Sequence, residues 1–343
     1  MNPDTRKTVP PTAPVTQVDA ANAVAAANVP PTKPLVWAEV LFWLLPVAAF
    51  FLFPGYRTLG GQILIAGLFA MSLDLILGYA RIVSLGHAAF FGLGAYTAGL
   101  LAKHGWGEPF TGLLVALVVC AALGYLLSYL VVRGADLTRL MITIGVCVLL
   151  AELANRLSGI TGGTVGLQGV VIAPVLGFFD FDLYGKTAFC YAFGVVLAMF
   201  LLVRLVLRSP FGLALRGIHD SRKRMLAIGS PVESRLRMAY ALSAAVAGVA
   251  GALLAQTTQF VGIESIGFNR SAEVLIILVL GGTGRLYGGM IGALVYMLVH
   301  DAFADLNPEY WMFWLGIFLI AAVMVGRGGI MGALSRLAKR SAP

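Results

Sequence analysis

The side chains that could perform chemistry in this sequence are few and lie far apart. Ser84 and His87 are one helical turn apart, a spacing at which an imidazole can activate a hydroxyl, but no third orienting group is evident. The other histidines, His104, His219 and His300, are scattered, and no H-E-x-x-H zinc motif occurs. The sequence therefore predicts neither a catalytic site nor a metal site.

A nucleotide site is also not predicted. The glycine-rich stretch from Gly281 to Gly289 lacks the Lys and the following Ser or Thr of a phosphate-binding loop, so any ATP hydrolysis should belong to a partner. Cys120, Cys147 and Cys190 each lie in an apolar run without metal-site spacing or the parity of a disulfide framework. We expect buried, inert thiols, no cofactor and no enzymatic activity.

Ionisable residues inside apolar runs are the most informative polar positions. Asp74, Glu152, Glu273 and, near the end of a run, Asp301 are costly in lipid, so we expect them to point inward. Asp74 and Arg81 are seven residues apart, two turns on one helical face, which favours an ion pair. A direct role of Asp74 along a solute path is the alternative.

Composition identifies the solvent of this chain as lipid. Apolar residues make up 59% of the 343 residues and charged residues only 12%, with a mean hydropathy of +0.89. The net charge of +8 comes from dispersed basic residues without aromatic interleaving, so no nucleic-acid partner is expected. The chain is predicted to be an all-α integral membrane protein in contact with the bilayer.

About ten apolar segments are long enough to be membrane helices. Eight or nine crossings remain open, because a glycine-rich segment can be re-entrant. The segments are 35–53, 59–79, 82–101, 110–132, 137–157, 186–207, 238–260, 272–284, 286–303 and 310–325.

Two of these segments are rich in glycine and are expected to be broken or closely packed. The residues that precede the two segments are also similar, with Leu77–Arg81 before the first and Leu280–Arg285 before the second. This similarity suggests an internal inverted repeat. The structural glycines of the two segments are Gly86, Gly92, Gly94, Gly281, Gly282 and Gly284.

Charge asymmetry predicts the topology. With ten crossings, nineteen of the 24 Lys and Arg residues fall on the side of the amino terminus and five on the other. Both termini are therefore expected in the cytoplasm, with a disordered tail at 1–34, a transmembrane domain at 35–327 and a basic tail at 328–343. The long polar loop at 208–237 is placed on the same side.

Within that loop the sequence predicts a short helix. Asp220 or Ser221 can cap its start, Gly229 suits a left-handed residue after its end, and Pro231 prevents continuation. Met225 and Ile228 fall on one side and form an apolar projection that can insert into another protein. A plain basic topogenic loop is the alternative.

Several ordered segments resemble one transporter family. These segments are Leu73–Tyr79, Ser84–Tyr96, Leu215–Arg216 through Ala227–Gly229, Ala250–Leu253, Glu273–Leu275 and Leu280–Gly284. They are similar to the permeases of the branched-chain amino-acid ABC transporter family, specifically the LivM-like subunit, and the likeness runs from about Leu59 to Leu334.

The resemblance implies a permease subunit in a bacterial inner membrane, together with a set of partner proteins. They are a second homologous permease subunit, two cytoplasmic ATP-binding subunits and an extracytoplasmic solute-binding protein. By the same resemblance the short helix is the coupling helix that docks on an ATPase. The ATPase-coupling residues are Asp220, Ser221, Arg222, Met225, Leu226, Ile228 and Gly229.

The expected function is uptake of branched-chain amino acids or similar small solutes by ATP-driven alternating access. Urea, short amides and small aromatic acids stay open as solutes. A stand-alone secondary transporter or channel and a non-transporting membrane scaffold are the rival classes. The candidate pathway residues are Asp74, Ser84, His87, Phe91, Glu152 and Glu273.

Overall fold

The computed structural model describes residues 36–134, 136–175, 177–180, 185–325, 329–330 and 332. The two predicted tails, 1–34 and 328–343, therefore lie outside the described residues except for positions 329, 330 and 332. The described residues form thirteen α-helices and, apart from isolated β-bridges, no strand. The helices are α1 (Val36–Leu52), α2 (Arg57–Leu77), α3 (Ala88–Lys103), α4 (Pro109–Val131), α5 (Asp136–Arg156), α6 (Ser158–Thr161), α7 (Lys186–Arg208), α8 (Pro210–Asp220), α9 (Arg222–Ala227), α10 (Val232–Thr258), α11 (Phe268–Gly281), α12 (Leu286–Leu306) and α13 (Trp311–Val325).

The first helix belongs to a compact unit of its own that ends at Phe53. It is apolar along its length, contains Pro46, and exposes large side chains such as Leu41 and Phe51. A second unit begins at Pro54 and contains all the other helices.

Each of the ten predicted apolar segments corresponds to a helix. Within the part of the chain that the structure describes, six helices are long and apolar enough to cross a membrane: α2, α4, α5, α7, α10 and α12. The segments at α1, α3, α11 and α13 form shorter helices. The all-helical fold and several membrane-type spans are thus confirmed, whereas the number ten stays a prediction.

Helix α10 lies at the centre of the second unit, against α2, α3 and α4. Nearly all of its residues between Ser243 and Gln256 are buried, and small residues dominate this stretch. A methyl group on Gly94 of α3 would collide with the backbone of Gly248 of α10, and one on Gly251 would collide with the Phe91 carbonyl. Because lipid tails are as apolar as the side chains, helices in such a bundle are held by this close packing.

Both glycine-rich segments contain non-helical backbone, as predicted, and we call residues 78–87 and 282–285 the two helix interruptions. In the first, α2 ends at Leu77 and α3 begins only at Ala88, so the segment predicted at 82–101 is irregular over its first six residues. In the second, α11 ends at Gly281 and α12 begins at Leu286. The intervening Gly282 and Gly284 have φ values of +107° and +76°, which side chains rarely adopt.

A further irregular stretch precedes α11. After α10 the chain passes through Gln259, which has a left-handed φ of 53°, and forms a bridge between Val261 and Leu167 before a 3-10 turn at Ile263–Ile266. We call the end of the bundle that carries residues 208–231 the basic end. The Leu167–Val261 bridge lies near Gly99, in the C-terminal half of α3. The N-terminal end of α3 contacts Ser271 instead.

Candidate functional site

The first residues of α3 and α11 meet inside the bundle. The backbone N–H of Ala88 donates to Ser271 Oγ at 2.9 Å. Two cysteine thiols show how deep this junction lies: Cys120, the central residue of α4, donates to the Phe90 carbonyl at 3.3 Å, and Cys147, next to the centre of α5, donates to the Ile266 carbonyl at 2.7 Å. Both helices therefore begin at about half the depth of the bundle.

His87 lies at this junction in a sealed polar cluster. Its Nε2 is 2.9 Å from Ser72 Oγ and 3.4 Å from Ser243 Oγ, and its ring stacks on Phe69 with centroids 5.7 Å apart. Ser84 is buried as well, but its hydroxyl forms no hydrogen bond with the His87 ring. The cluster ties α2, α3 and α10 together.

The predicted pathway residues therefore separate into two groups. Ser84, His87 and Phe91 are each 1% exposed or less and belong to the packed core. Glu152 and Glu273 reach the surface of this chain, with side chains 56% and 23% exposed. The expectation that all intramembrane carboxylates point inward is wrong for Glu152, because it pairs with Arg156 along the outer surface of the peripheral helix α5.

Glu273 brings with it a residue that the sequence reasoning missed. Arg270 Nη1 donates to Glu273 Oε2 at 2.7 Å, and the Arg270 guanidinium lies 5.5 Å from the centre of the Phe91 ring. The charge count placed Arg270 among the five basic residues on the side opposite the amino terminus, although its position three residues before Glu273 on one helical face was a readable signal for the pair.

Asp74 links the two interrupted helices. It is fully buried in α2, and its Oδ1 accepts the backbone N–H of Gly284 at 2.7 Å, just before α12 begins. The predicted pair with Arg81 is not formed, because α2 ends at Leu77 and Arg81 instead adopts a left-handed φ of 53°. The Asp74 carboxylate thus holds the loop that precedes α12.

The structural glycines are positions where backbones touch. A methyl group would collide with the Thr143 carbonyl at Gly86, with Ile266 at Gly92, with Gly248 at Gly94, and with the Gly288 carbonyl at Gly281. Gly78, at the end of α2, packs against Gly284 in the same manner. The two similar stretches that precede the glycine-rich segments are therefore in direct contact.

At the basic end the predicted short helix is present as α9. Ser221 caps it, since its Oγ accepts the backbone N–H of Arg224 at 3.4 Å, and Gly229 has the left-handed φ of +79° expected after the last turn. Asp220 is the last residue of the preceding helix α8, so α8 and α9 form an elbow at Ser221. We call residues 210–229 the elbow.

The apolar projection of the elbow differs from the predicted one. Met225 packs back on Gly217 of α8, because the glycine leaves space for the thioether. The side chains that project are Leu226, which is 53% exposed, and Ile228, which is 74% exposed. Arg222 is exposed beside them.

The elbow contacts the first helix interruption. The Arg216 guanidinium lies 6.0 Å from the centre of the Tyr79 ring, and Arg81 Nε lies 3.4 Å from His219 Nε2. Because Tyr79 follows Gly78 directly, the contact of α8 with Tyr79 lies next to the Gly78–Gly284 contact. This contact lies at one end of α2, and the His87–Ser72 contact lies one to two turns further along that helix.

The arrangement therefore combines a bundle with buried helix starts, two interruptions in mutual contact and a rigid elbow on one end. It contains no group of three or more His, Cys, Asp or Glu side chains that could hold a metal ion among the residues described.

Comparisons with known proteins give the family. The sequence profile described as "Branched-chain amino acid transport system / permease component" matches residues 56–323. The high-affinity branched-chain amino acid transport system permease protein LivM of Salmonella typhimurium LT2 is 31% identical over 285 residues, 76% of this chain and 66% of LivM. LivM of Escherichia coli K12 is 30% identical over the same lengths.

The match to a more distant relative covers a larger share of that relative's own length. The probable branched-chain amino acid transport permease protein LivH of Methanocaldococcus jannaschii is 27% identical over 288 residues, 80% of this chain and 90% of that protein. The chain spans 66% of the LivM proteins it matches. No solved structure gave a significant match to the chain. From the profile, the relatives and the apolar helices together, the chain is a multi-pass membrane protein that belongs to the family of permease components of branched-chain amino acid transport systems.

Proposed function

We propose that this chain is one of two permease subunits in a binding-protein-dependent ABC importer of branched-chain amino acids. It provides half of a translocation pathway and hydrolyses no ATP itself. Its partners are a second homologous permease, two cytoplasmic ATP-binding subunits and an extracytoplasmic solute-binding protein in a bacterial inner membrane.

The observation that carries this proposal is the elbow. Leu226 and Ile228 project from a capped helix too short to be stable alone, so α9 depends on its contact with α8 and moves with it. An ATP-binding subunit that receives these side chains in a groove gains a rigid lever on the permease. The Arg216–Tyr79 and Arg81–His219 contacts then carry displacement toward the helix interruptions.

Ten crossings fit the proposed orientation. With α1, α3, α11 and α13 counted as crossings beside the six longer helices, both termini and the elbow lie on the cytoplasmic side, as the basic residues require. Helix α3 starts at half depth after the first interruption, and α11 starts at half depth after the Gln259–Gly267 stretch. The two starts face each other through Ala88 and Ser271, which supports an inverted repeat.

The pathway is proposed to run along the surface of the chain that carries α5 and α11. Glu152 is exposed on α5, and Glu273 is exposed on α11 deeper in the membrane domain, where lipid contact is costly for a charge. Cover by the second permease or by water in the pathway removes that cost. Asp74, Ser84 and His87 then act indirectly, by holding the helices that line the route.

The proposal is tested by reconstituting the assembled importer in proteoliposomes and measuring ATP-dependent uptake of labelled leucine. The double variant Leu226→Asp with Ile228→Asp places two charges in the proposed apolar contact and is expected to abolish uptake and to release the ATP-binding subunits. Leu306→Asp, at the end of α12 and 79% exposed, is the matched control and keeps wild-type uptake.

Two results would contradict the proposal. Ion-driven uptake by this chain without ATP-binding subunits would indicate a secondary transporter. Unchanged ATP-driven uptake by the Leu226 and Ile228 double variant would show that the elbow is not the coupling element. Binding of urea or an aromatic acid, but not leucine, to the cognate binding protein would change the solute and leave the coupling intact.

A further inference from the structure

The Arg270–Glu273 pair lies at an unusual depth for two charges. Ile266 and Phe90 mark the half depth of the bundle through their contacts with the central cysteines of α5 and α4. Arg270 lies one turn beyond Ile266, and its guanidinium faces the ring of Phe91, the neighbour of Phe90. The pair is therefore close to the middle of the membrane, where each charge carries its largest desolvation cost.

Two other ion pairs lie near the ends of helices that are long enough to cross the membrane. Glu152 and Arg156 occupy the last two turns of α5, and Glu233 and Arg237 occupy the first two turns of α10. Side chains at these places reach water or head groups, so their charges cost little. The depth of Arg270 and Glu273 allows no such escape and calls for another explanation.

The pair is also partly accessible. The side chains of Arg270 and Glu273 are 25% and 23% exposed, and their contact of 2.7 Å leaves other guanidinium nitrogens and the second carboxylate oxygen for further bonds. The Tyr296 hydroxyl interacts with the same carboxylate, and Phe91 covers one face of the guanidinium. A cation and an anion are thus displayed side by side between aromatic groups.

This arrangement matches the chemistry of one class of ligand. A zwitterionic α-amino acid has a carboxylate and an ammonium group separated by a single carbon, and both lose their water when the solute crosses a membrane. An ion pair already present in the protein can open and form two pairs with the solute, one to each end, with no change in net charge. A single fixed charge would stabilise only one end.

We propose that Arg270 and Glu273 form the mid-membrane recognition site for the α-amino and α-carboxylate groups of the transported amino acid. Arg270 binds the carboxylate and Glu273 binds the ammonium group. The site reads the part that all α-amino acids share, so discrimination among side chains lies elsewhere. This inference rests on the proposed function, since it assigns the binding residues of that transport pathway.

The test uses the assembled importer in proteoliposomes with labelled leucine, and it measures uptake and ATP hydrolysis together. Glu273→Gln and Arg270→Gln are each expected to lower leucine uptake per ATP hydrolysed at least about tenfold, as the loss of about 1.4 kcal/mol of binding produces. Stimulation of ATP hydrolysis by the loaded binding protein stays near wild type. Glu233→Gln removes a carboxylate from an equivalent intrahelical pair and serves as the control with normal uptake.

A charge reversal separates recognition from mere helix stabilisation. The double variant Arg270→Glu with Glu273→Arg restores an intrahelical pair and the thermal stability of the complex, but it inverts the two charges relative to the rest of the pathway, so uptake stays low. Recovery of uptake in this variant would overturn the inference, as would normal uptake in both single variants or a loss of uptake that follows a loss of ATPase stimulation. Absence of ATP-driven uptake by the wild-type importer would instead refute the proposed function.

Discussion

Replacement of Asp74 by Ala should separate a structural junction from a solute-binding role. The Asp74 Oδ1 atom accepts the Gly284 N–H at 2.7 Å in a fully buried position. Alanine removes this acceptor and leaves the half-buried Gly284 N–H without this partner just before α12. Hydrogen bonds to charged groups are worth about 1.5–3 kcal/mol, so we expect a loss of about 2 kcal/mol of stability.

Asn at the same position is the matched comparison. Its side-chain oxygen can still accept the Gly284 N–H, so Asp74→Asn should retain most of the stability and most of the uptake. The assay measures the fraction of purified complex that stays monodisperse after heating, alongside ATP-driven leucine uptake by the same preparations. Stability and uptake should fall together in Asp74→Ala.

Two results would refute this reasoning. An Asp74→Ala complex with wild-type stability and no uptake would show that Asp74 acts directly on the solute. Equal loss in the Ala and Asn variants would show that the charge, rather than the hydrogen bond to Gly284, is what the protein requires at this position.

Two further predictions concern packing and coupling. Gly94→Ala should reduce the yield of assembled complex in a membrane-expression assay, because a methyl group there collides with Gly248. The control Gly194→Ala, on the open surface of α7, should have no effect. Equal yields of the two variants would contradict the close approach of α3 and α10. Arg81→Gln removes the contact with His219 and should lower uptake per ATP hydrolysed while the ATP-binding subunits stay attached; an unchanged ratio would show that this contact does not transmit movement.

The features that could be predicted from the sequence are governed by neighbours along the chain. Ser221, Gly229 and Pro231 set the ends of α9 through local capping and backbone geometry, and the structure places the helix between them. Apolar segments of membrane length likewise gave the positions of the helices, because hydrophobicity and length are local properties.

The features that were missed depend on contacts between distant segments. His87 meets Ser243 across 156 residues, and Met225 turns toward α8 only because Gly217 leaves room for it. The predicted Asp74–Arg81 ion pair was wrong. A spacing of seven residues places two side chains on one helical face only within a continuous helix, and α2 ends at Leu77. The spacing of residues in a single sequence does not show which side chain will lie next to a helix interruption.

Contact between the elbow and an ATP-binding subunit is tested most directly by site-specific cross-linking in membranes that contain the assembled importer. Ile228→Cys is introduced in a Cys190→Ser background, because Cys190 is exposed while Cys120 and Cys147 are buried. We predict a cross-link from position 228 to an ATP-binding subunit, whose yield changes with bound nucleotide. Labelling of this cysteine by an impermeant reagent from the external side, or absence of any cross-link to that subunit, would contradict the proposed function.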